Sequence, residues 1–362
     1  MTLRAPFPWF GGKSRVAHLI WDRFGDVRNY VEPFAGSLAV ILGRPTEPKI
    51  ETVNDLDCWI ANFWRALQHD PEGCAHYADW PVNEADLHAR HLWLVKQTDF
   101  RERMKTDPDF YDVKIAGWWV WGISQWIGSG WCAAPGSPLQ KKLGRADGTP
   151  QRGRPNLQQN QGVQARDIQT AQKRPYLTNH GVHGQVEKRT LLGRGGRGVT
   201  RKIPMIASGG PGTANDYGVE ALGGLYAWFD ALASRLRRVR VCCGDWTRIL
   251  GPAPTTCIGT TGVFLDPPYA VEERSDVYGE ESRDVAHAVR AWALENGDNP
   301  DLRIALCGYD GEHVMPDTWE CVAWKANGGF GNQANGGTQG RENAHRERIW
   351  FSPGCLRQAR LW

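Results

Sequence analysis

The sequence predicts an α/β fold in which parallel strands end in ligand-binding loops, and three stretches support this. An apolar run is cut short by Asp-Pro-Pro-Tyr at residues 266–269. A strand, a turn of small residues and a helix occupy residues 30–42, and the next strand ends at Asp55. A third strand is predicted over residues 239–246, ending in an acid and an aromatic residue. In open α/β sheets, ligands bind beyond the carboxyl ends of the strands.

The tetrapeptide at 266–269 carries the most specific chemistry. A residue before proline is held extended, and proline donates no hydrogen bond to a sheet. We therefore expect the Asp266 carboxylate, the Pro267 carbonyl and the Tyr269 ring at the end of a strand, with Pro268 holding the turn. Two acceptors beside an aromatic face suit a flat base that bears an amino group. The alternative for the tetrapeptide alone is an ordinary strand-ending turn.

The other two strand ends are typical of a nucleotide cofactor site. Asp55 lies 19 positions after Gly36, where nucleotide-binding α/β folds place the acid that holds ribose hydroxyls. At the end of the third strand, Asp245 and Trp246 are suited to the amine and the face of an adenine ring. Residues 11–14, Gly-Gly-Lys-Ser at a predicted helix start, favour an anion, although full phosphate-loop spacing is absent.

Charge is distributed unevenly along the chain. Residues 140–202 contain 14 basic and 3 acidic residues, a net of +11, so the rest of this +3 chain carries −8. A basic stretch poor in apolar residues predicts a flexible nucleic-acid-binding segment. The alternative is a solvated insertion without a partner. Nine cysteines without a C-x-x-C pair favour a reducing cytoplasm and neither disulfides nor a metal site.

The remaining elements follow from apolar periodicity. No apolar run approaches a membrane span and no signal peptide opens the chain, so we expect a soluble intracellular protein. A tryptophan-rich helix near residue 120 is expected to be core, and the last two strands are expected to form a hairpin. Helices are predicted from residue 57 and over 15–24, 86–104, 115–126, 218–237 and 286–294, and strands over 302–307, 319–324 and 348–351.

In this order, the motifs resemble the Dam-type (alpha-group) DNA adenine methyltransferases, most of all those carried by bacteriophages; the resemblance is weak over residues 57–215. The family's usual second glycine of the turn is Leu38 here. The resemblance implies a Rossmann-like, seven-stranded S-adenosylmethionine-dependent sheet with a mainly helical DNA-recognition insertion. It assigns the flipped adenine to Asp266, Pro267 and Tyr269. It assigns the cofactor to Trp9, Lys13, Glu32, Phe34, Gly36, Asp55, Asp245 and Trp246, and also to Asp266.

The resulting hypothesis is methyl transfer from S-adenosylmethionine to the N6 amine of adenine in double-stranded DNA, without a metal. Residues 1–56 and 216–362 are predicted to form the catalytic domain and 57–215 the DNA-recognition insertion. We expect DNA contacts from Lys141, Lys142 and Arg145, and Ser129 and Trp131 are the next candidates for DNA contact. Alternatives are a cytosine-N4 methyltransferase, a DNA-binding protein with a decayed cofactor site, and a protein glutamine methyltransferase. The recognition sequence and the oligomeric state stay open.

Overall fold

The computed structural model describes residues 3–7, 9, 12–126, 131–132, 224–269, 279–325 and 345–357, with the backbone alone at 279–283. Within these residues the strands are β1 (Asn29–Glu32), β2 (Ile50–Asp55), β3 (Arg240–Cys243), β4 (Thr261–Leu265), β5 (Leu302–Tyr309), β6 (Glu320–Ala323) and β7 (Glu347–Phe351). The helices are α1 (Ala17–Phe24), α2 (Ala39–Leu42), α3 (Cys58–His69), α4 (Pro71–Ala78), α5 (Glu84–Val95), α6 (Phe100–Thr106), α7 (Val113–Ile123), α8 (Leu225–Leu236) and α9 (Gly279–Asn296).

The seven described strands form one sheet in the order β3-β2-β1-β4-β5-β7-β6. Strands β1 to β5 pair in parallel, so their carboxyl ends meet at one edge. Strand β7 runs antiparallel to both β5 and β6, which confirms the predicted hairpin. Strand order reverses between β1 and β4, the point at which open α/β sheets bind ligands. The predicted α/β class with a Rossmann-like, seven-stranded sheet is confirmed.

The sheet is buried on both faces near this switch point. Every residue of β1 and β4 is buried, as expected for central parallel strands covered by helices. The tryptophan-rich α7 belongs to the core, as predicted: Trp119 and Trp121 are each at most 2% exposed. Trp119 lies against Phe63 of α3, with ring centroids 5.9 Å apart. Helix α3 therefore joins the helical layer to the strand end at Asp55.

The helix predicted over residues 86–104 is two helices. Helix α5 ends at Val95, and α6 begins at Phe100 after Asp99 in the N-cap position. The backbone N–H of Gln97 donates to the carbonyl of Leu94 at 3.0 Å and closes the last turn. Thr98 and Asp99 follow, residue types that favour caps and turns over helix interiors. The periodicity of the flanking apolar residues continued across this break and concealed it.

Helices α3 to α7 lie in the part of the chain predicted to be the DNA-recognition insertion, and that domain division stays a prediction. One compact unit comprises Met1–Cys132 and Arg197–Trp362, so helices α3 to α7 belong with the sheet. Arg65 of α3 shows this directly, because its Nε donates to the Val241 carbonyl of β3 at 3.0 Å. DNA recognition by residues 57–215 stays a prediction, and its basic part, 140–202, lies outside the described residues.

All nine cysteines of the chain are free thiols. Within the described ranges, no group of three or more His, Cys, Asp or Glu side chains is arranged to hold a metal ion. The described helices include none whose length and apolar character would let it cross a bilayer.

Candidate active site

The loops that follow β1, β2 and β3 are joined by Asn54. Its amide nitrogen donates to the Pro33 carbonyl at 3.1 Å and to the Gly244 carbonyl at 2.9 Å. The Gly244 N–H donates to the Asp55 carbonyl at 3.1 Å. Three segments that the sequence assigned to a cofactor are thus in direct contact. No sequence motif had assigned a role to Asn54.

Asp55 holds the turn after β1. Its Oδ2 accepts the Gly36 N–H at 2.9 Å, and its Oδ1 accepts the Asp57 N–H at 2.9 Å. Burial, and to a lesser extent the charge of Asp57, raises the pKa of Asp55 to about 7 against the lowering effect of these hydrogen bonds. Trp64 of α3 donates from its indole N–H to the Gly36 carbonyl at 3.0 Å. Both backbone groups of Gly36 are therefore held.

Gly36 leaves no room for a side chain. Its φ is +46°, and a Cβ there would lie 2.5 Å from Nε1 and 2.8 Å from Cδ1 of Trp9. Left-handed backbone and close approach are the two conditions that require glycine. Trp9, which the sequence assigned to the cofactor, is thus brought against the turn that Asp55 holds.

Leu38 lies two residues further on, where the resembled family has glycine. Its φ of 55° is in the left-handed region, which costs a non-glycine residue about 1–2 kcal/mol. The side chain is 0% exposed and belongs to the main hydrophobic core. Burial of a leucine side chain contributes about 1.5–3 kcal/mol, enough to offset the backbone strain. This departure from the family pattern therefore fills the core.

Glu32, the last residue of β1, is 2% exposed. Its Oε2 accepts the hydroxyl of Tyr30 at 2.9 Å. Burial raises the pKa of Glu32 well above its usual value; the Tyr30 hydrogen bond opposes the shift, and the charge of Asp266 adds to it. A cation bound beside this strand end would restore the charge of the buried carboxyl.

The loop after β3 places one aromatic ring near another. Trp246 and Phe34 have ring centroids 6.3 Å apart and planes inclined by 27°, and both side chains are half-buried. Asp245 is exposed, and its Oδ1 accepts the N–H of Thr247 at 2.9 Å. These rings border the β1 and β3 loops that Asn54 joins.

Asp266 follows β4 directly, across the switch point from β1. Its side chain is 21% exposed, and its Oδ1 lies 2.9 Å from the Nζ of Lys13. Lys13 also donates to the hydroxyl of Tyr269 at 3.1 Å. Tyr269 and Pro267 are buried and Pro268 is half-buried. Lys13, which the sequence assigned to the cofactor, is therefore found with the predicted base-binding residues.

The surroundings of Lys13 and Tyr269 determine the protonation state of each side chain. Burial by itself would lower the pKa of Lys13, but the carboxylates of Asp266 and Glu347 reverse the effect and the pKa is raised. Burial, with the same two carboxylates, raises the pKa of Tyr269 well above its usual value. Near neutral pH the site thus contains an ammonium ion and a neutral phenol.

Sequence reasoning missed Glu347, Tyr309 and Trp64. Glu347 Oε2 accepts the Tyr269 hydroxyl at 2.8 Å, and the Tyr309 ring lies edge-to-face against Tyr269 at 4.6 Å. Trp64 lies in the helix predicted from residue 57. For Glu347 and Tyr309 the only indication was the prediction that residues 302–307 and 348–351 form strands. Each contact lies just beyond the predicted ends of those strands.

Most residues predicted to bind DNA lie outside the described ranges, namely Ser129, Lys141, Lys142 and Arg145. Trp131 is described and half-buried. Its indole N–H donates to the Trp119 carbonyl at 3.1 Å, and its ring lies 5.3 Å from Trp126. This packing gives Trp131 a structural role, while a contact with DNA stays a prediction.

Comparison with known proteins supports one family. Residues 9–114 match the family model described as D12 class N6 adenine-specific DNA methyltransferase, whereas no curated protein matches the chain. The match includes Lys13, Glu32, Gly36 and Asp55 and stops well before Asp266. It also extends through helices α3 to α6, beyond the region where the motifs themselves suggested a resemblance. Residues 9–114 are thus similar to the D12 class N6 adenine-specific DNA methyltransferases, over less than a third of the 362-residue chain.

Proposed function

We propose that this methyltransferase moves a methyl group from S-adenosylmethionine to the N6 amine of an adenine flipped out of double-stranded DNA. The observation that carries the proposal is the position of Asp266. It is a partly exposed carboxylate at the end of β4. Beside it, across the switch point, lie the β1 and β2 loops with Glu32, Gly36 and Asp55.

The residues at these strand ends fit a cationic nucleoside cofactor. Buried Glu32 and half-buried Asp55 both have raised pKa values, so a nearby positive charge favours their ionised forms. Asp55 is placed to accept ribose hydroxyls, and Phe34 and Trp246 offer ring faces for a base. When bound, S-adenosylmethionine supplies a methyl group on a positively charged sulfur. Asp245 would accept a hydrogen bond from the base amine.

The target base would lie against Asp266, Pro267 and Tyr269. The Asp266 carboxylate and the Pro267 carbonyl hold the amine hydrogens and aim the nitrogen lone pair, so most of the catalysis is positioning. The amine competes with Lys13 for Oδ1 of Asp266, where the ion pair is 2.9 Å long. The proton that the nitrogen gives up passes to Asp266. Unstacking the base costs a few kcal/mol, and contact with Tyr269 offsets about 1–3 kcal/mol.

The product identifies the reaction. Unmethylated double-stranded DNA would be incubated with the full chain and S-adenosylmethionine, digested to nucleosides and separated by chromatography. We expect N6-methyladenosine as its deoxynucleoside. N4-methyldeoxycytidine alone, or cofactor binding without any methylated nucleoside, would contradict the proposal.

Cofactor affinity should depend on pH through Asp55. Its pKa, raised to about 7 in the folded protein, compares with about 3.9 when unfolded. This group's contribution to stability is therefore present below about pH 4 and lost as the pH rises through about 7. Cofactor binding favours the ionised form, so affinity should rise between about pH 6 and 8, with release of a fraction of a proton.

Calorimetry in buffers of different ionisation enthalpy measures that proton release. Asp55→Asn should abolish both the release and the pH dependence, and should weaken binding by about 1–3 kcal/mol. Asp57→Ala is the matched control: it removes the N-cap of α3, whose carboxylate accepts the Trp59 N–H at 2.8 Å. That variant should lose about 1 kcal/mol of stability and keep a pH dependence, shifted to lower pH because the charge of Asp57 helps to raise the pKa of Asp55. Affinity independent of pH in the wild type would contradict the assignment of Asp55.

Residues 140–202 are proposed to supply DNA affinity, on the basis of their +11 balance. Each phosphate neutralised contributes about 0.9 to the slope of log affinity against log salt. Replacing Lys141, Lys142 and Arg145 by alanine should flatten that slope by roughly 1–3 units and leave cofactor affinity unchanged. Fluorescence anisotropy over a salt series measures it. An unchanged slope would transfer DNA recognition to residues 57–139, with Ser129 and Trp131 the next to test.

We further propose that the enzyme works in the cytoplasm of a bacterial or phage-infected cell, where DNA and cofactor are both present. The nine free thiols fit a reducing compartment.

A further inference from the structure

Glu347 lies at the amino end of β7, at the sheet edge that carries Asp266. It pairs with Tyr309 in the β5–β7 register, and its carbonyl accepts the Trp324 N–H at 3.1 Å. The residue is 4% exposed. A carboxylate so buried is costly unless it makes specific hydrogen bonds, and the hairpin leaves its backbone little freedom to move.

The hydroxyl of Tyr269 has three polar neighbours and one proton. Lys13 donates to it at 3.1 Å, while Glu347 and Asp266 are acceptors at 2.8 Å and 3.3 Å. A phenol has a single O–H donor. The shorter distance places that proton on the Glu347 side, so the Tyr269 hydroxyl does not occupy the Asp266 carboxylate.

Without Glu347 the hydroxyl would turn to the acceptor that remains. That acceptor is Oδ1 of Asp266, which the target amine needs in the proposed function. The Tyr269 ring would also lose one of the contacts that hold it against Tyr309, where the centroids are 4.6 Å apart and the planes inclined by 72°. Both effects reduce the fraction of complexes in which the amine is correctly held.

We propose that Glu347 is a positioning residue for methyl transfer: it holds the Tyr269 hydroxyl away from Asp266 and fixes the plane of the Tyr269 ring. The inference rests on the proposed function. Glu347 acts through the Tyr269 hydroxyl, which it accepts at 2.8 Å.

Steady-state kinetics on unmethylated double-stranded DNA test this with paired variants. Glu347→Met keeps the volume and removes the acceptor, and it should lower kcat about tenfold with little change in KM for S-adenosylmethionine. Glu347→Gln retains an acceptor oxygen and should stay within about threefold of wild type. In a Tyr269→Phe background, where the competing hydroxyl is gone, Glu347→Met should cause no further loss.

Glu51→Ala is the control for losing a buried carboxylate. Glu51 is 3% exposed in β2 and pairs with Arg44 and Arg235. This variant should lower the melting temperature and leave kcat unchanged. If Glu347→Met does not fold, Glu347→Asp can be used instead. It keeps the charge, but its side chain is one methylene shorter, so its carboxylate oxygens lie further from the Tyr269 hydroxyl. Its kcat should also fall about tenfold, whereas a role of charge alone would leave it at the wild-type rate.

Failure of the proposed function and failure of the inference about Glu347 give different results. A wild-type chain that makes no N6-methyladenine overturns both the proposed function and this inference. An active wild type with Glu347→Met at full rate, or with losses that add in the double variant, overturns the inference alone.

Discussion

Replacing Asp266 by alanine is expected to lower the rate of methyl transfer by at least about a hundredfold, the scale of losing one preorganised polar group at the reacting centre. In the proposed function Asp266 holds the target amine and takes its proton, and it is the residue that directly follows β4. Cofactor affinity should change less than threefold, because Glu32, Gly36 and Asp55 belong to other strand ends.

The Asp266→Ala variant also leaves the buried Lys13 without its 2.9 Å partner, so stability has to be separated from catalysis. Asp266→Asn is the matched variant: it keeps the volume and one acceptor oxygen but cannot take a proton. Single-turnover transfer of a radiolabelled methyl group, with thermal unfolding of each variant, measures both effects. Transfer by Asp266→Asn at the wild-type rate would mean that the proton goes elsewhere, and an active Asp266→Ala would remove this residue from the mechanism.

Gly36→Ala is expected to weaken S-adenosylmethionine binding at least about tenfold. The left-handed φ of +46° costs alanine about 1–2 kcal/mol. Its Cβ would also lie 2.5 Å from Trp9, so the turn or the indole must move. Movement of the turn breaks the hydrogen bonds of Gly36 to Asp55 and Trp64, at 2.9 Å and 3.0 Å. Asp55, the acid proposed to bind the ribose, would then lose the contact that orients it.

Gly12→Ala is the natural control, because this glycine faces the same tryptophan. Its φ is −45°, and an added Cβ would meet only the Trp9 carbonyl at 3.6 Å, an ordinary contact. Calorimetric titration should therefore give wild-type affinity for Gly12→Ala and reduced affinity for Gly36→Ala. Equal affinities for the two variants would show that the Gly36 turn does not support the cofactor site.

Local sequence patterns were sufficient to predict the strand ends. The apolar run before Asp266-Pro267 located β4, the spacing from Gly36 to Asp55 located the first two loops, and both follow from rules that act over a few residues. Parallel pairing then brings those ends to one edge whatever the intervening chain does. The family resemblance was confirmed by the match over residues 9–114.

Long-range packing determines which of these side chains are in contact. Lys13 and Tyr269 are 256 positions apart, and Tyr269 and Glu347 are 78 apart. Their contacts exist because β4, β5 and β7 are neighbours in the sheet, an order that no local pattern encodes. The same applies to Trp64 on the Gly36 carbonyl and to Leu38, whose left-handed backbone is tolerated because the core accepts its side chain. The sequence by itself determined the chemical groups and the strands that carry them. Long-range packing determined their partners, since the free energy of a contact depends on the environment that distant segments build around it.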